Sequence, residues 1–429
     1  MQKPTFTDRL RLATHVTATA LLTATFAFIV STAIAMAASE DAASPDTDEA
    51  DEQSFVTRPE AYEQIVKAQD YIKKQQYEKA TKVLEKMQRR LRLNNHEKSL
   101  VQQTFGFLYA SQEKFPKAIE ALNRCLELRA LPKPTLLNIE YNLGQIYFAT
   151  KKFKQAADTL EEWLKKSKNP APSAIFTAAA ANYQAHRYDR AAKYAQDAIS
   201  RDKSKPDGWL QLLLASQMEL KRFREASATL QTIVSRHPSR KTYWIQLASV
   251  YAQMNDDARA LAVYELAYQK GVLNESSEII NLTQRMIQQG VPQKGAPILE
   301  GAIASGLVKP TQDNLTLLAT AWQHARERDR AMEPLARAAQ AAKDGSLFVR
   351  LAQIQLEKED WTAAARSIER ALKKGGLRHP GQAYLTLGIA RFNAQKKKQA
   401  QQAFRQALAD EDSKNAASGW LAFIEGASR

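Results

Sequence analysis

Between Tyr243 and Ala267 the chain reads YWIQLASVYAQMNDDARALAVYELA, with apolar or small residues at Trp244, Leu247, Ala248, Tyr251, Ala260, Tyr264 and Ala267. The first four fall on one face of a helix and the last three on one face of another, with the polar QMNDDAR as the turn between them. The spacing therefore predicts two short helices packed on each other. The same arrangement returns as Leu143, Gly144, Tyr147, Phe153, Ala156, Leu160 and Trp163, as Leu351, Ala352, Trp361, Ala364, Ile368 and Ala371, and as Leu387, Gly388, Ala400, Phe404 and Ala407. The small residue that opens the second helix can be followed through Ala80, Ala118, Ala156, Ala191, Ala226, Ala260, Gly295, Ala331, Ala364 and Ala400, at intervals of 33 to 38 residues. About ten units result between Ala61 and Lys414. One such pair cannot bury its apolar face alone, so stacked neighbours share a continuous core, and the predicted fold is an all-α solenoid.

The order W-x2-L-G/A-x2-Y, then Ala, then an aromatic or Leu, then a small residue, resembles the tetratricopeptide repeat. The resemblance spans nearly all of residues 61–414 and implies a right-handed superhelix of about ten helix pairs over 58–414. The proline that usually follows the second helix is present as Pro238 and missing from most units. The unit holding QQGVPQKGAPILEGA departs furthest, with Thr283 and Gly295 at its small positions and Pro292 near the turn, and a distortion or hinge is expected there. The segment 415–429, apolar on one side through Trp420, Leu421 and Phe423, is expected to form a capping helix over the last pair.

The amino terminus follows a different pattern. Lys3, Arg9 and Arg11 precede a run from Leu12 to Ser39 without formal charge, ending AIAMAASE. A basic start, an apolar run and a small-residue cleavage site make residues 1–37 a signal peptide by pattern, with cleavage after Ala37; the length of the run also fits an uncleaved anchor. Residues 38–57 then carry seven acids and no base, which reads as an acidic, disordered leader. The whole chain has a formal net charge of +15. Since residues 1–37 net +2 and residues 38–57 net −7, the remainder carries +20.

Composition narrows the chemistry. One cysteine, Cys125, excludes an intramolecular disulfide and any Cys-rich metal site, and six scattered histidines offer no close pair. Phosphate-cradling, zinc-protease, CxxC and nucleophile-elbow motifs are all absent from the sequence. Cys125 stands at a small second-helix position and reads as a core thiol, and His324 has no metal partner three or four residues on. The six tryptophans read as packing. No enzymatic activity, cofactor, metal or small-molecule substrate is expected.

In proteins that the repeat resembles, ligand peptides lie along the concave face of the first helices. Carried over position by position, that face would hold Phe107, Tyr141, Gln145, Phe148, Phe176, Tyr183, Gln184, Met218 and Gln253. Rings and amides with few charges suit an extended or polyproline segment, whose carbonyls accept from Gln and Asn while prolines lie on rings. The competing reading is that Phe107 and Tyr141 pack against neighbouring helices. Cations fall elsewhere, at Lys151, Lys152 and Lys154, at Arg187, Arg190 and Lys193, at Lys221, Arg222 and Arg224, at Arg326, Arg328, Arg330 and Arg337, and at Lys396–Lys398. They would line one rim as a solvated face, or as a contact for anionic lipid headgroups or an acidic partner. Nucleic acid suits the charge but not the export signal.

The secretion-type start, YIKKQQYEKATKVLEKM, the long connections of the first units and TYWIQLASVYAQMNDDARALAVYELAYQKGVL are similar to periplasmic tetratricopeptide proteins associated with TonB energy-transduction systems of Gram-negative bacteria. That resemblance implies a periplasmic or inner-membrane-anchored interaction scaffold that assists a TonB, ExbB and ExbD complex in outer-membrane uptake of nutrients or iron chelates. A proline-rich TonB-type segment would then be a partner. The alternative is a scaffold of the same fold for another envelope assembly, such as pilus, secretion or cell-wall machinery.

Overall fold

The computed structural model describes residues 55–426. The signal-like segment 1–37, residues 38–54 of the acidic leader and the last three residues lie outside the described residues. Among the described residues there are 21 α-helices and no strands. They fall into two compact units that meet in sequence at Arg236 and His237.

The first unit contains α1 (Pro59–Lys73), α2 (Tyr77–Arg90), α3 (Asn95–Ser111), α4 (Phe115–Leu128), α5 (Lys133–Ala149), α6 (Phe153–Lys166), α7 (Pro172–Gln184), α8 (Tyr188–Arg201), α9 (Asp207–Glu219) and α10 (Phe223–Arg236). The second contains α11 (Lys241–Gln253), α12 (Asp257–Gln269), α13 (Ser276–Gln288), α14 (Pro292–Ala304), α15 (Gln312–His324), α16 (Arg328–Ala341), α17 (Ser346–Glu357), α18 (Trp361–Lys374), α19 (Pro380–Asn393), α20 (Lys397–Ala407) and α21 (Glu411–Gly426). Each odd-numbered helix packs on the even-numbered helix that follows, and each pair packs on the next within its unit. This is a tetratricopeptide-type solenoid in each unit, five pairs in the first and five pairs plus α21 in the second.

The small positions explain the close approach within a pair. Ala80, Ala118, Ala156, Ala191, Ala226, Ala260, Ala331, Ala364 and Ala400 are all buried, as is Gly295. On the first helices Gly106, Gly144 and Gly388 face the bulky residue four positions after the small one, Leu122, Leu160 and Phe404. A methyl group at Gly144 would stand 2.7 Å from the side chain of Leu160, and one at Gly388 only 2.4 Å from the ring of Phe404. These glycines therefore admit a bulky side chain of the second helix against bare backbone, and the density of a packed interior follows.

Helix starts are fixed locally. Asn94 and Glu97 form a capping box on α3, and Asp256, Thr311 and Asp360 accept from backbone N–H groups of α12, α15 and α18. Prolines at the first turn open α1, α4, α5, α7, α14 and α19, where the missing N–H costs nothing. Within a pair the first helix ends in the same way in every unit. The residue five before the small position has left-handed backbone, at Gln75, Glu113, Lys151, His186, Lys221, Asn255, Gly290, Arg326, Glu359 and Gln395. Its N–H bonds back to a carbonyl three residues earlier, and the next N–H to one five residues earlier, as in Lys151 N to Phe148 O (3.0 Å) and Lys152 N to Tyr147 O (2.9 Å). Nine of the ten are not glycine.

The pair in which a distortion or hinge is expected, at QQGVPQKGAPILEGA, keeps both of its helices. Helices α13 and α14 are joined by the common turn at Gly290, and Thr283 satisfies its hydroxyl on the Ile279 carbonyl at 2.9 Å; the local irregularity is Pro297, which stands inside α14 and removes one backbone donor there. At the carboxyl end Trp420 of α21 stacks on Phe404 (5.5 Å, 7° between planes), with Ala417 and Ile424 buried beside it. Cys125 is fully buried, donates to the Ser99 carbonyl at 3.2 Å, and has its pKa pushed up to about 12 by burial. That environment makes it a packing thiol rather than a nucleophile.

Candidate binding face on the first helices

Eight of the nine residues assigned to a groove sit on first helices of the first unit. Phe107 is on α3, Tyr141, Gln145 and Phe148 on α5, Phe176, Tyr183 and Gln184 on α7, and Met218 on α9. Gln253 is exposed at the end of α11 and belongs to the second unit. Period-3.6 spacing brings residues of successive odd helices side by side, and two ring pairs mark where neighbouring helices touch.

Phe176 of α7 stacks on Trp209 of α9 at 4.9 Å with 15° between planes. Tyr141 of α5 tilts against Trp163 at 4.7 Å and 35°. Burial raises the pKa of the Tyr141 hydroxyl above the ordinary phenol range, while its neighbours Thr177 and Gln145 pull the other way. Phe148 meets Phe153 edge-on at 5.5 Å across the α5–α6 turn. These three residues are half-buried, and each ring has an aromatic neighbour. Phe107, Gln145, Gln184 and Met218 are half-buried as well.

Tyr183 differs. It is 3% exposed and meets Tyr188 edge-on at 5.4 Å, and burial pushes its pKa up to about 12. Its ring is part of the α7–α8 core and offers no surface to a ligand. Asn182 beside it is fully buried and donates to the Ala178 carbonyl at 3.0 Å.

The second unit presents a side chain that the position-by-position transfer leaves out. Arg350 of α17 donates to Thr320 (3.0 Å) and to Gln323 of α15, and no carboxylate pairs with it among the described residues. Burial lowers its pKa from the usual guanidinium value. A single Arg between two neutral acceptors leaves no trace in sequence spacing, because its partners lie about 30 residues away.

The basic residues expected along a rim differ in their partners, and Arg337 pairs within its own helix with Glu333 at 3.1 Å. Several of the arginines reach the acids of a neighbouring repeat: Arg187 to Asp158 (2.5 Å), Arg190 to Glu161 (2.5 Å), Arg222 to Asp189, Arg330 to Glu300, and Arg328 to Glu357 (2.8 Å). Arg330 also covers the ring of Trp322 at 3.5 Å. Lys151, Lys154, Lys193, Lys221, Arg224, Arg326 and Lys396–Lys398 form no ion pair among the described residues. The first group ties repeat to repeat, and the second supplies the outward positive field.

Among the described residues no group of three or more His, Cys, Asp or Glu side chains is placed to hold a metal ion, and no helix is long and apolar enough to cross a membrane.

Two family profiles match the chain. Residues 349–416 match the tetratricopeptide repeat, and residues 135–275 match a profile described as bacterial transcriptional activator domain, a span made up of the helix pairs α5 to α12. No curated protein matches. Among solved structures, a tetratricopeptide repeat protein from Parabacteroides merdae is 16% identical, covering 69% of this chain and 98% of its own, with a TM-score of 0.34. YrrB, described as a TPR protein with an unusual peptide-binding site, is 14% identical over 44% of this chain and 96% of its own, with a TM-score of 0.34. MamA is 18% identical over 41% of this chain and 94% of its own, with a TM-score of 0.33.

Proposed function

We propose that the protein is a non-enzymatic, periplasmic interaction scaffold that assists a TonB, ExbB and ExbD complex in energising outer-membrane uptake, and that its first unit binds a proline-rich segment of a TonB-type partner. The observation that carries the binding part is the half-open rings of Tyr141, Phe148 and Phe176 on successive first helices, interleaved with Gln145 and Gln184. Each ring already packs on an aromatic neighbour and is only partly buried, so little further ordering is needed when a proline packs on its exposed part. The amides supply donors for the carbonyls of a segment that has no internal hydrogen bonds. The address and the TonB link rest on the signal-like residues 1–37 and on the family resemblance of the repeats. The unpaired lysines fit a second contact with an anionic membrane surface.

Titration of a proline-rich peptide into the wild type and into Phe148→Ala and Phe176→Ala tests the reading. Each substitution is expected to weaken binding by about tenfold, the weight of a ring anchor at an interface. Tyr183→Phe is expected to leave affinity unchanged, because that ring is core. Unchanged affinity in both alanine variants would remove the proline-rich ligand. The alternative of another envelope assembly shares the face, and affinity co-purification from intact envelopes separates it by the partner recovered.

A further inference from the structure

Apart from the cations at the turns, one group of basic residues stands at the carboxyl end of α2 in the first unit. Lys82, Lys86 and Arg90 stand four residues apart on the exposed face of α2 and form no ion pair among the described residues. Between Lys86 and Lys98 stand five Lys and Arg side chains, of which Arg89 pairs with Glu85 at 3.2 Å, and one acid, Glu97, which is buried and already paired with Arg58 at 2.6 Å. Beside this end of α2 is an open depression of about 490 Å³, walled by Leu91, Leu93 and Leu128 with Lys98, with Arg124, which pairs with Glu120 at 2.6 Å, and with Glu127.

The chain enters the described structure at the same spot. Phe55 packs on the ring of His96 at 5.4 Å, the Val56 carbonyl accepts from Asn94 at 3.1 Å, and Arg58 donates to the Arg92 carbonyl at 2.8 Å. Residues 55–58 are therefore pinned to the loop that carries the cations. Immediately before them, Glu40, Asp41, Asp46, Asp48, Glu49, Asp51 and Glu52 hold seven negative charges with no base among them.

We propose that the acidic run Glu40–Glu52 docks on the basic carboxyl end of α2 and across the adjoining depression, as a built-in occupant of that surface. Reach is sufficient: thirteen residues extend up to about 43 Å at 3.3 Å each, whereas the fourteen residues of α2 span about 21 Å. Tethering at Phe55 presents the acids at an effective concentration on the order of millimolar, so weak individual pairs suffice. Each exposed pair is worth about 0.2–1 kcal/mol, and several act together within a Debye length of about 8 Å at physiological salt. An external anionic ligand reaches this surface only by displacing the leader.

Zero-length carbodiimide cross-linking of the purified full chain, read by mass spectrometry, tests the proposal. The expected products join Asp46, Asp48, Glu49, Asp51 or Glu52 to Lys82, Lys86 or Lys98. Lys396–Lys398 serve as an internal control of equal charge and exposure. In 1 M salt, where the Debye length is about 3 Å, the products should disappear. A mixture of light and heavy-isotope protein assigns them to one chain or two. Cross-links spread evenly over both lysine clusters, none at all, or a majority between isotopes would each overturn the proposal, the last in favour of a second copy. Replacement of the seven acids by Asn and Gln gives an independent arm. Acylation of Lys82, Lys86 and Lys98 should then quicken by about threefold, the weight of a modest ion pair, with Lys396–Lys398 unchanged. Equal rates in the two proteins count against it.

Discussion

At the scale of single residues, Glu97 shows how one buried carboxylate fixes a join that no motif announces. It is fully buried at the start of α3 and accepts from Arg58 through both oxygens (2.8 and 2.6 Å), from the Arg58 backbone N–H at 3.1 Å, and from Asn94 N–H at 3.0 Å. The Arg58 hydrogen bonds outweigh desolvation and hold its pKa at about 2. A folded-state pKa below the unfolded value means that the carboxylate stabilises fully above about pH 4.5 and that this contribution fades as pH falls toward 2. Glu97→Gln should therefore cost roughly 1.5–3 kcal/mol at neutral pH, the worth of a hydrogen bond to a charged group. The gap between variant and wild-type denaturation midpoints should close between pH 4.5 and 2. A gap of constant size across that range would mean that the ionised form is not what holds Arg58. The box Asn94-x-x-Glu97 was visible as residues in the chain, but Arg58 stands 39 residues earlier and only folding brings it there.

At the scale of elements, the ten turns between paired helices share one geometry with ten different sequences. A left-handed residue costs an L side chain roughly 1–2 kcal/mol relative to its normal region, and Asn less than most. Lys151 and Lys221 are exposed and stand at φ 59° and 56°. Lys151→Gly and Lys221→Gly are thus expected to stabilise the chain by about 0.5–1 kcal/mol, after allowing for the greater freedom of glycine in the unfolded state. Asn255→Gly should give less, and Gly290→Ala should destabilise by about 1 kcal/mol. Chemical denaturation midpoints check the order; a loss on Lys→Gly at both sites would show that these side chains have a role in the folded state that outweighs backbone strain. The period of small residues made the helix pairs legible, because Ala and Gly at contact positions are dictated by distance. The place of a turn was legible, as at QMNDDAR between α11 and α12, but its left-handed residue was not, because Gln, Glu, His, Lys and Arg carry no signal for that conformation and it is imposed by the helices on either side. The proposed binding face was legible in part for the same reason. Spacing placed Tyr141, Phe148 and Phe176 on first helices, but it could not say that Tyr183 closes over Tyr188 while Phe176 shares its stack with Trp209.

At the scale of the whole molecule, charge and address decide between readings that the helix pairs alone leave equal. Residues 58–429 carry a net +20; pairs such as Arg187–Asp158 and Arg330–Glu300, which join one repeat to the next, cancel one cation against one acid and leave that excess of cations unpaired. The unpaired remainder is a field that attracts whichever polyanion the compartment contains. In the cytosol that is nucleic acid, and a domain so basic would bind phosphate backbones in a salt-dependent way. Outside it the available anions are lipid headgroups, acidic protein segments and the chain's own residues 40–52. The proposed scaffold role therefore requires export by residues 1–37. A phosphatase reporter that needs disulfides, fused after Arg429, should be active in cells carrying the whole chain, because its cysteines pair only in an oxidising compartment. Deletion of residues 2–37 should abolish that activity while leaving the amount of fusion protein within about twofold, since the helix pairs from Pro59 onward pack without that segment. An inactive reporter on the whole chain, together with DNA recovered with the protein at physiological salt, would place the positive field in the cytosol and reverse the assignment of its partner.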